Sequence, residues 1–323
     1  VVVRDNALGS SWRPENYSKK FFGLTRMREA LKRSLNLVSI RLLRSVGIDK
    51  ARDHLQRFGF KPENLPENLS LALGTASLLP VEVARAYAVF ANGGFLIEPY
   101  LVDRIEDSAN QVIFQAEPLT ACTLCPSPLE LTPVVNNEDE ATDFIAPISA
   151  GIEINSPAGS LEQPVPANDL ADQVTQNHAP WAVSRENAFL MTSMLQEVIR
   201  SGTGRKARSL GRSDIGGKTG TTNDQQDAWF SGFGPGVETT VYIGFDKPTP
   251  MGRKEVGGRA ALPVWIDYMK VALDGVPETL PEIPVGIVPA YINKQTGKQV
   301  PQGHPQAVLE YFMAGQEPGF ENR

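Results

Sequence analysis

The sequence predicts an α/β fold, and two patterns carry that prediction. Apolar residues recur at helical spacing over 26–58, 80–90, 186–199 and 262–273. Between the last two of these stretches lie three short strand-like runs at about 213–222, 227–234 and 239–246, each bounded by polar or Gly/Pro turns.

The elements follow from local signals. Met27, Leu31, Val38, Leu42 and Val46 mark one face of the first helical stretch. Ser34 and Asn36 weaken a helix there, so Ser34-Leu35-Asn36 is expected to form a helix–loop–helix corner. Gly47 and Gly59 read as helix ends. Pro80 suits the first turn of the next helix, and Gly93-Gly94 closes it. Residues 100–116 alternate and break at Ser108-Ala109-Asn110, which predicts a hairpin. Residues 117–182 are rich in Pro, Asp, Glu and Asn and are expected to form an irregular insertion. Ser201-Gly202-Thr203-Gly204 closes the helix over 186–199. A Pro-rich tail over 276–323, with a hairpin expected around Lys294-Gln295-Thr296-Gly297, follows a main domain over 1–275.

Composition narrows the function. Of 323 residues, 41% are hydrophobic and 21% charged, as in ordinary globular proteins. The net charge of −6 argues against a nucleic-acid footprint. The sequence contains no run of eighteen apolar residues that would span a membrane, and no signal peptide is read. Its three histidines, His54, His178 and His304, lie far apart, so no metal site is read, and no cofactor is implied. Arg26, Arg28, Lys32 and Arg33 read as a solvated helix face, and Trp229 as a core residue.

The chemistry concentrates in Ile215-Gly216-Gly217-Lys218-Thr219-Gly220-Thr221-Thr222. A serine acyl-enzyme needs a basic group to take and return a proton. A lysine serves when neighbouring cations or desolvation lower its pKa, and Lys218 is the candidate. Thr219 and Thr221 lie on one side of a strand, where two hydroxyls can hold a carboxylate. Gly220 between them permits close backbone approach, and the Thr221 backbone N–H can serve an oxyanion hole. Ser34-Leu35-Asn36 is the candidate partner motif, expected on the opposite wall of one cleft from Lys218.

On these motifs the chain resembles the transpeptidase domain of class A penicillin-binding proteins of the 1a type, in which Lys-Thr-Gly and Ser-x-Asn recur. Further matches are Ser11-Trp12-Arg13-Pro14-Glu15-Asn16, Leu71-Ala72-Leu73-Gly74, Ala91-Asn92-Gly93-Gly94 and Asp227-Ala228-Trp229-Phe230-Ser231-Gly232. The resemblance implies a mainly antiparallel sheet sandwiched by helices. It implies D,D-transpeptidation of peptidoglycan stem peptides ending in D-Ala-D-Ala, and acylation by β-lactams. It places proton relay on Ser34, substrate contact on Asn36, and the lysine and threonine roles on Lys218, Thr219 and Thr221.

The family's third motif, Ser-x-x-Lys, is missing. Ser10 has Arg13 three positions on, Ser18 has Phe21 and Ser209 has Arg212, and no other serine has lysine there. The nucleophile is therefore expected upstream of Val1, with any periplasmic membrane anchor, in a longer bifunctional polypeptide of which this is a C-terminal part. The 323 residues alone are expected to be inactive. A D,D-carboxypeptidase or β-lactamase would use the same site and transfer the acyl group to water. A non-catalytic binding or scaffolding module is the reading from another class. Ser-x-x-Lys shortly before Val1 would favour the enzymes.

Cys122-Thr123-Leu124-Cys125 has three readings. Zinc would need two more ligands from distant positions. A catalytic redox pair would need a thioredoxin-like surround that is not evident. A surface disulfide in an oxidising compartment is the reading adopted, and a loop so short adds little stability.

Overall fold

A computed structural model describes residues 3–5, 10–122, 125–126 and 178–321. Strands β1 (Val3–Asp5) and β2 (Ser10–Trp12) pair antiparallel, and helices α1 (Met27–Arg33), α2 (Asn36–Val46) and α3 (Ile48–Gln56) follow. Helix α4 (Pro80–Ala91) precedes a hairpin of β3 (Arg104–Glu106) and β4 (Val112–Gln115). Helix α5 (Arg185–Ser201) leads into β5 (Gly216–Thr221), β6 (Asp227–Gly234) and β7 (Val237–Gly244). Helix α6 (Ala261–Ala272) and the hairpin β8 (Ile287–Asn293) and β9 (Ala307–Met313) complete the order. The insertion read over 117–182 lies outside the described residues at 123–124 and 127–177.

The central sheet has the order β5-β6-β7 and is antiparallel throughout. Residues paired in register share a face. Lys218, Ser231 and Thr240 therefore stand in one row, and Gly220, Trp229 and Tyr242 in the next on the same face. The opposite face carries Phe230 and Val241, which pack with Trp265, Leu262 and Met269 of α6. The Phe230 and Trp265 rings meet edge to face at 4.9 Å. Trp265 is fully buried and donates from its indole N–H to Gly232 O at 3.2 Å. A Cβ at Gly232 would stand 3.0 Å from that ring, so the strand's backbone can approach the Trp265 ring this closely at Gly232 because it carries no side chain there. Sheet and α6 are one sandwich half, and α4 packs against β6 and β7.

Trp229 is half-buried and stacks on Tyr242 at 4.6 Å, on the face away from α6. The strand's core aromatic is its neighbour Phe230, because alternation sends only one of two adjacent residues inward. The basic cluster also departs from its reading as a solvated face. Arg26 and Arg28 pair with Glu310 of β9, and Lys32 with Glu29 of its own helix. Of the four, only Arg33, 51% exposed, resembles a solvated position. The partner Glu310 is distant in sequence, so the charge pattern alone could not pair it. Phe189 and Tyr311, edge to face at 5.2 Å, hold the same hairpin against α5.

The face bearing Lys218 is polar inside. The Thr240 hydroxyl lies 2.9 Å from Ser231 Oγ and 3.0 Å from Glu238 Oε1. Burial pushes the Glu238 carboxyl up to about 8, against the lowering effect of Thr240. Burial, and then the Glu238 charge, raise the Tyr87 phenol of α4 above its ordinary value. A carboxyl whose pKa rises on folding contributes stability below its unfolded value and loses it as pH rises toward about 8. Glu238→Gln should therefore leave the unfolding free energy at pH 5 nearly unchanged and raise it at pH 8.5 by about 1 kcal/mol. Urea unfolding at the two pH values measures this, and an equal effect at both would refute the buried-acid assignment.

Candidate active site

Helix α1 ends in a strained corner that aims a hydroxyl. Ser34 adopts the left-handed conformation, with φ 55° and ψ 53°. Its N–H donates to Leu31 O at 3.0 Å, and the Leu35 N–H reaches back to Ala30 O at 2.9 Å. Glycine usually occupies this kind of helix end, because a Cβ there costs about 1 kcal/mol. A serine held in that conformation is strain of the kind that collects at functional sites.

The start of α2 is held from outside. Its preceding residue, Leu35, has no side-chain oxygen to cap it. Asn16, buried to 6% exposure, takes the role: its Oδ1 accepts from the Leu37 N–H at 3.1 Å. Its amide donates to Lys20 O at 2.8 Å. Asn36 donates its amide to Glu15 O at 3.0 Å, so this candidate substrate contact is engaged with the 15–20 segment. Asn16 falls in a motif that the sequence reading matched without assigning it a role.

Strand β5 supplies the other wall. Lys218 Nζ donates to Ser34 Oγ at 2.9 Å and to Thr219 O at 2.8 Å. The contact joins residues 184 positions apart, as the one-cleft expectation requires. Burial pulls the Lys218 ammonium down to about 8. The side chain is thus close to half-charged at mildly alkaline pH, a poise suited to moving a proton through Ser34.

Strand β5 is an edge of its sheet. The Thr222 N–H donates to Asp227 O at 3.1 Å, toward β6. Antiparallel alternation then turns the Thr221 N–H outward, away from β6 and toward the open edge. Thr219 and Thr221 share a face, as read, and both hydroxyls have protein partners. Thr219 Oγ1 lies 2.7 Å from Thr203 Oγ1, and Thr221 Oγ1 accepts from the Gly257 N–H at 3.0 Å. A Cβ at Gly257 would fall 2.4 Å from Gly220 O, so a glycine at 257 lets the chain pass close to the strand's backbone there. Thr203, whose N–H donates to Lys32 O at 3.2 Å, carries only a helix-end signal in the sequence. Its hydroxyl contact with Thr219 across the edge is invisible to a local pattern.

Cys122 and Cys125 form a disulfide. It is buried, not on the surface: the cysteines are 6% and 9% exposed and pack with Phe95 and Ala179.

A family model described as the penicillin binding protein transpeptidase domain matches residues 4–269. Penicillin-binding protein 1A of Pseudomonas aeruginosa is 42% identical over 312 residues, which are 97% of this chain and 37% of that protein. Penicillin-binding protein 1A of Escherichia coli is 40% identical, with 97% of this chain and 39% of that protein covered. The crystal structure of penicillin-binding protein 1A from Haemophilus influenzae superposes over 100% of this chain and 45% of its own, with a TM-score of 0.80 and 36% identity. The chain thus spans less than half the length of these relatives.

The corner geometry makes its own prediction. Ser34→Gly and Ser34→Ala both remove the hydroxyl, but only glycine relieves the left-handed strain. The glycine variant should be more stable than the alanine variant by about 1 kcal/mol in urea unfolding. Equal stabilities would refute the strained-corner account.

Proposed function

The chain belongs to the penicillin-binding protein transpeptidase domain family, and on that premise we propose that it forms the Ser-x-Asn and Lys-Thr-Gly walls of a peptidoglycan D,D-transpeptidase. The observation that carries the proposal is the 2.9 Å hydrogen bond between Lys218 Nζ and Ser34 Oγ, with the lysine pKa lowered to about 8. The donor is a stem peptide ending in D-Ala-D-Ala, and a β-lactam competes for the same place. A nucleophilic serine attacks the penultimate D-Ala carbonyl, its hydroxyl proton passing to the lysine of its own Ser-x-x-Lys motif; a C–O bond forms and the C–N bond to the terminal D-Ala breaks. Ser34 Oγ passes its proton to the departing amine and is reprotonated from Lys218. The outward Thr221 N–H stabilises the carbonyl oxygen as charge develops on it. The hydroxyls of Thr203, Thr219 and Thr221 line the edge that takes the donor's terminal carboxylate, with the Lys218 charge beside it.

The nucleophile is supplied by polypeptide outside these 323 residues, since no serine here is followed by lysine three positions on. The site works on the periplasmic face of the inner membrane. Among the described residues no helix is long and apolar enough to cross a membrane.

Two measurements test this reading. The 323-residue chain should give no covalent band with fluorescent penicillin on a denaturing gel, whereas the intact protein should label. Stoichiometric labelling of the isolated chain would misplace the nucleophile. In the intact protein, Lys218→Ala should slow penicillin acylation at least 100-fold. With Lys218 protonated as the relay requires, the wild-type rate should fall as pH rises through about 8. Lys218→Arg, permanently charged, should lose that limb. A limb that persists in the arginine variant would remove Lys218 from the relay.

A further inference from the structure

The fold brings one histidine to the cysteine pair. Thr120 and His178 form a parallel bridge, and the Ala179 N–H donates to Thr120 O at 2.9 Å. The next residues fix the strand firmly. The Leu96 N–H donates to Pro180 O at 2.8 Å, and the Phe95 and Trp181 rings lie 3.8 Å apart. His178 is thereby placed beside Cys122 and Cys125, and one ligand atom from each of the three lies within 4.8 Å of the others.

A disulfide explains only part of this cluster. It closes a loop too short to restrict the unfolded chain much. It leaves His178 Nδ1 buried without a hydrogen-bond partner among the described residues, a group whose desolvation costs about 1–3 kcal/mol. Two further features favour negative charge on sulfur. The Cys125 N–H points at Cys122 Sγ at 2.9 Å, and a hydrogen bond to sulfur stabilises the thiolate. Arg185 donates to Cys125 O at 3.0 Å, which places a cation next to the pair. Apolar Phe95 and Ala179 wall the site.

We propose that Cys122, Cys125 and His178 form a redox-gated site for a borderline-soft divalent cation of the zinc class. In the oxidised state the two sulfurs are bonded to each other and bind no metal. An external dithiol opens the site by exchange: its two sulfurs become a disulfide, and two electrons and two protons pass to Cys122 and Cys125. The cation then displaces both thiol protons and takes two thiolates and the neutral imidazole, with a fourth position left for solvent. Tetrahedral coordination at zinc–sulfur distances of about 2.3 Å needs the sulfurs about 3.8 Å apart. The Cα separation of 5.5 Å suits that spacing as well as the bonded one. The Cys-x-x-Cys spacing is one that structural zinc sites use.

The test uses Co2+ as the probe in the intact protein. One sample is reduced with a dithiol and desalted anaerobically, and one is kept oxidised. The reduced protein should bind one Co2+ per chain with a sulfur-to-metal charge-transfer band in the near ultraviolet, and Zn2+ should displace it. Cys122→Ser should abolish the band. His178→Ala should weaken Co2+ binding at least tenfold, and the thermal melt of its oxidised form, which holds the disulfide, checks that this variant folds. No band in the reduced wild type overturns the proposal. So does a band of equal strength in the oxidised protein or in Cys122→Ser, or a Co2+ affinity unchanged in His178→Ala.

Discussion

The hydrogen bond from Lys218 Nζ to Ser34 Oγ is the contact on which the arrangement of the site depends. It joins the end of α1 to the sheet edge, and each side needs its own support. On the helix side, Arg26 and Arg28 are anchored to Glu310. Asn16 holds the start of α2. On the strand side, β5 is set by glycines that admit large neighbours. A Cβ at Gly216 would stand 2.9 Å from the Phe233 ring, and one at Gly217 would stand 2.8 Å from the Phe230 ring. Backbone here lies directly against aromatic rings, a close approach that these glycines permit.

Much of the fold was legible because it rests on local signals. The corner at Ser34, the helix end at Gly47, the closure at Gly93-Gly94 and the turn at Asn110 are all positions of positive φ. Glycine, serine and asparagine mark such positions in sequence. The strand over 227–234 was readable because its aromatics and small residues suit a sheet between close-packed neighbours. The tail's turn at Gly297 was also marked, with its N–H returning to Asn293 O at 2.8 Å. The partner strand β9 begins ten residues further on, at Ala307, because residues 298–300 first pair back along β8: the Asn293 N–H donates to Lys298 O at 2.8 Å and the Val300 N–H to Tyr291 O at 2.9 Å. Turn residues fix where a chain reverses and say little about which later residues pair.

What was not legible depends on partners distant in sequence. Arg26 and Arg28 look like surface charges until Glu310 is placed beside them. Thr203 looks like punctuation after α5 until the sheet edge brings Thr219 to its hydroxyl. The same holds for His178, separated in sequence from any cysteine and adjacent in space to two. Within the candidate site, the motif positions were legible and their hydrogen-bond partners were not. Asn36 sits on the predicted corner, yet its amide is taken by Glu15 O. Motif spacing reports which residue types recur together, whereas engagement is decided by packing around them.

The polar face of the sheet also shows how the site weighs on stability. Lys218 and Glu238 lie on that one face, and burial moves both toward neutrality, the lysine down to about 8 and the carboxyl up to about 8. Their contributions to stability run in opposite directions. The carboxyl's contribution is complete below its unfolded value and fades as pH rises toward about 8. The lysine's penalty is complete below about 8 and is relieved only as pH climbs toward its unfolded value. Taken together, these two groups make the sheet least stable near the pH at which Lys218 is half protonated and best poised to exchange a proton. An ion pair between them would remove that minimum, but it would also hold the lysine charged. Neutralising each by burial keeps the proton on Lys218 mobile, and the cost falls on a sheet whose other face is closed by the fully buried Phe230 and Trp265.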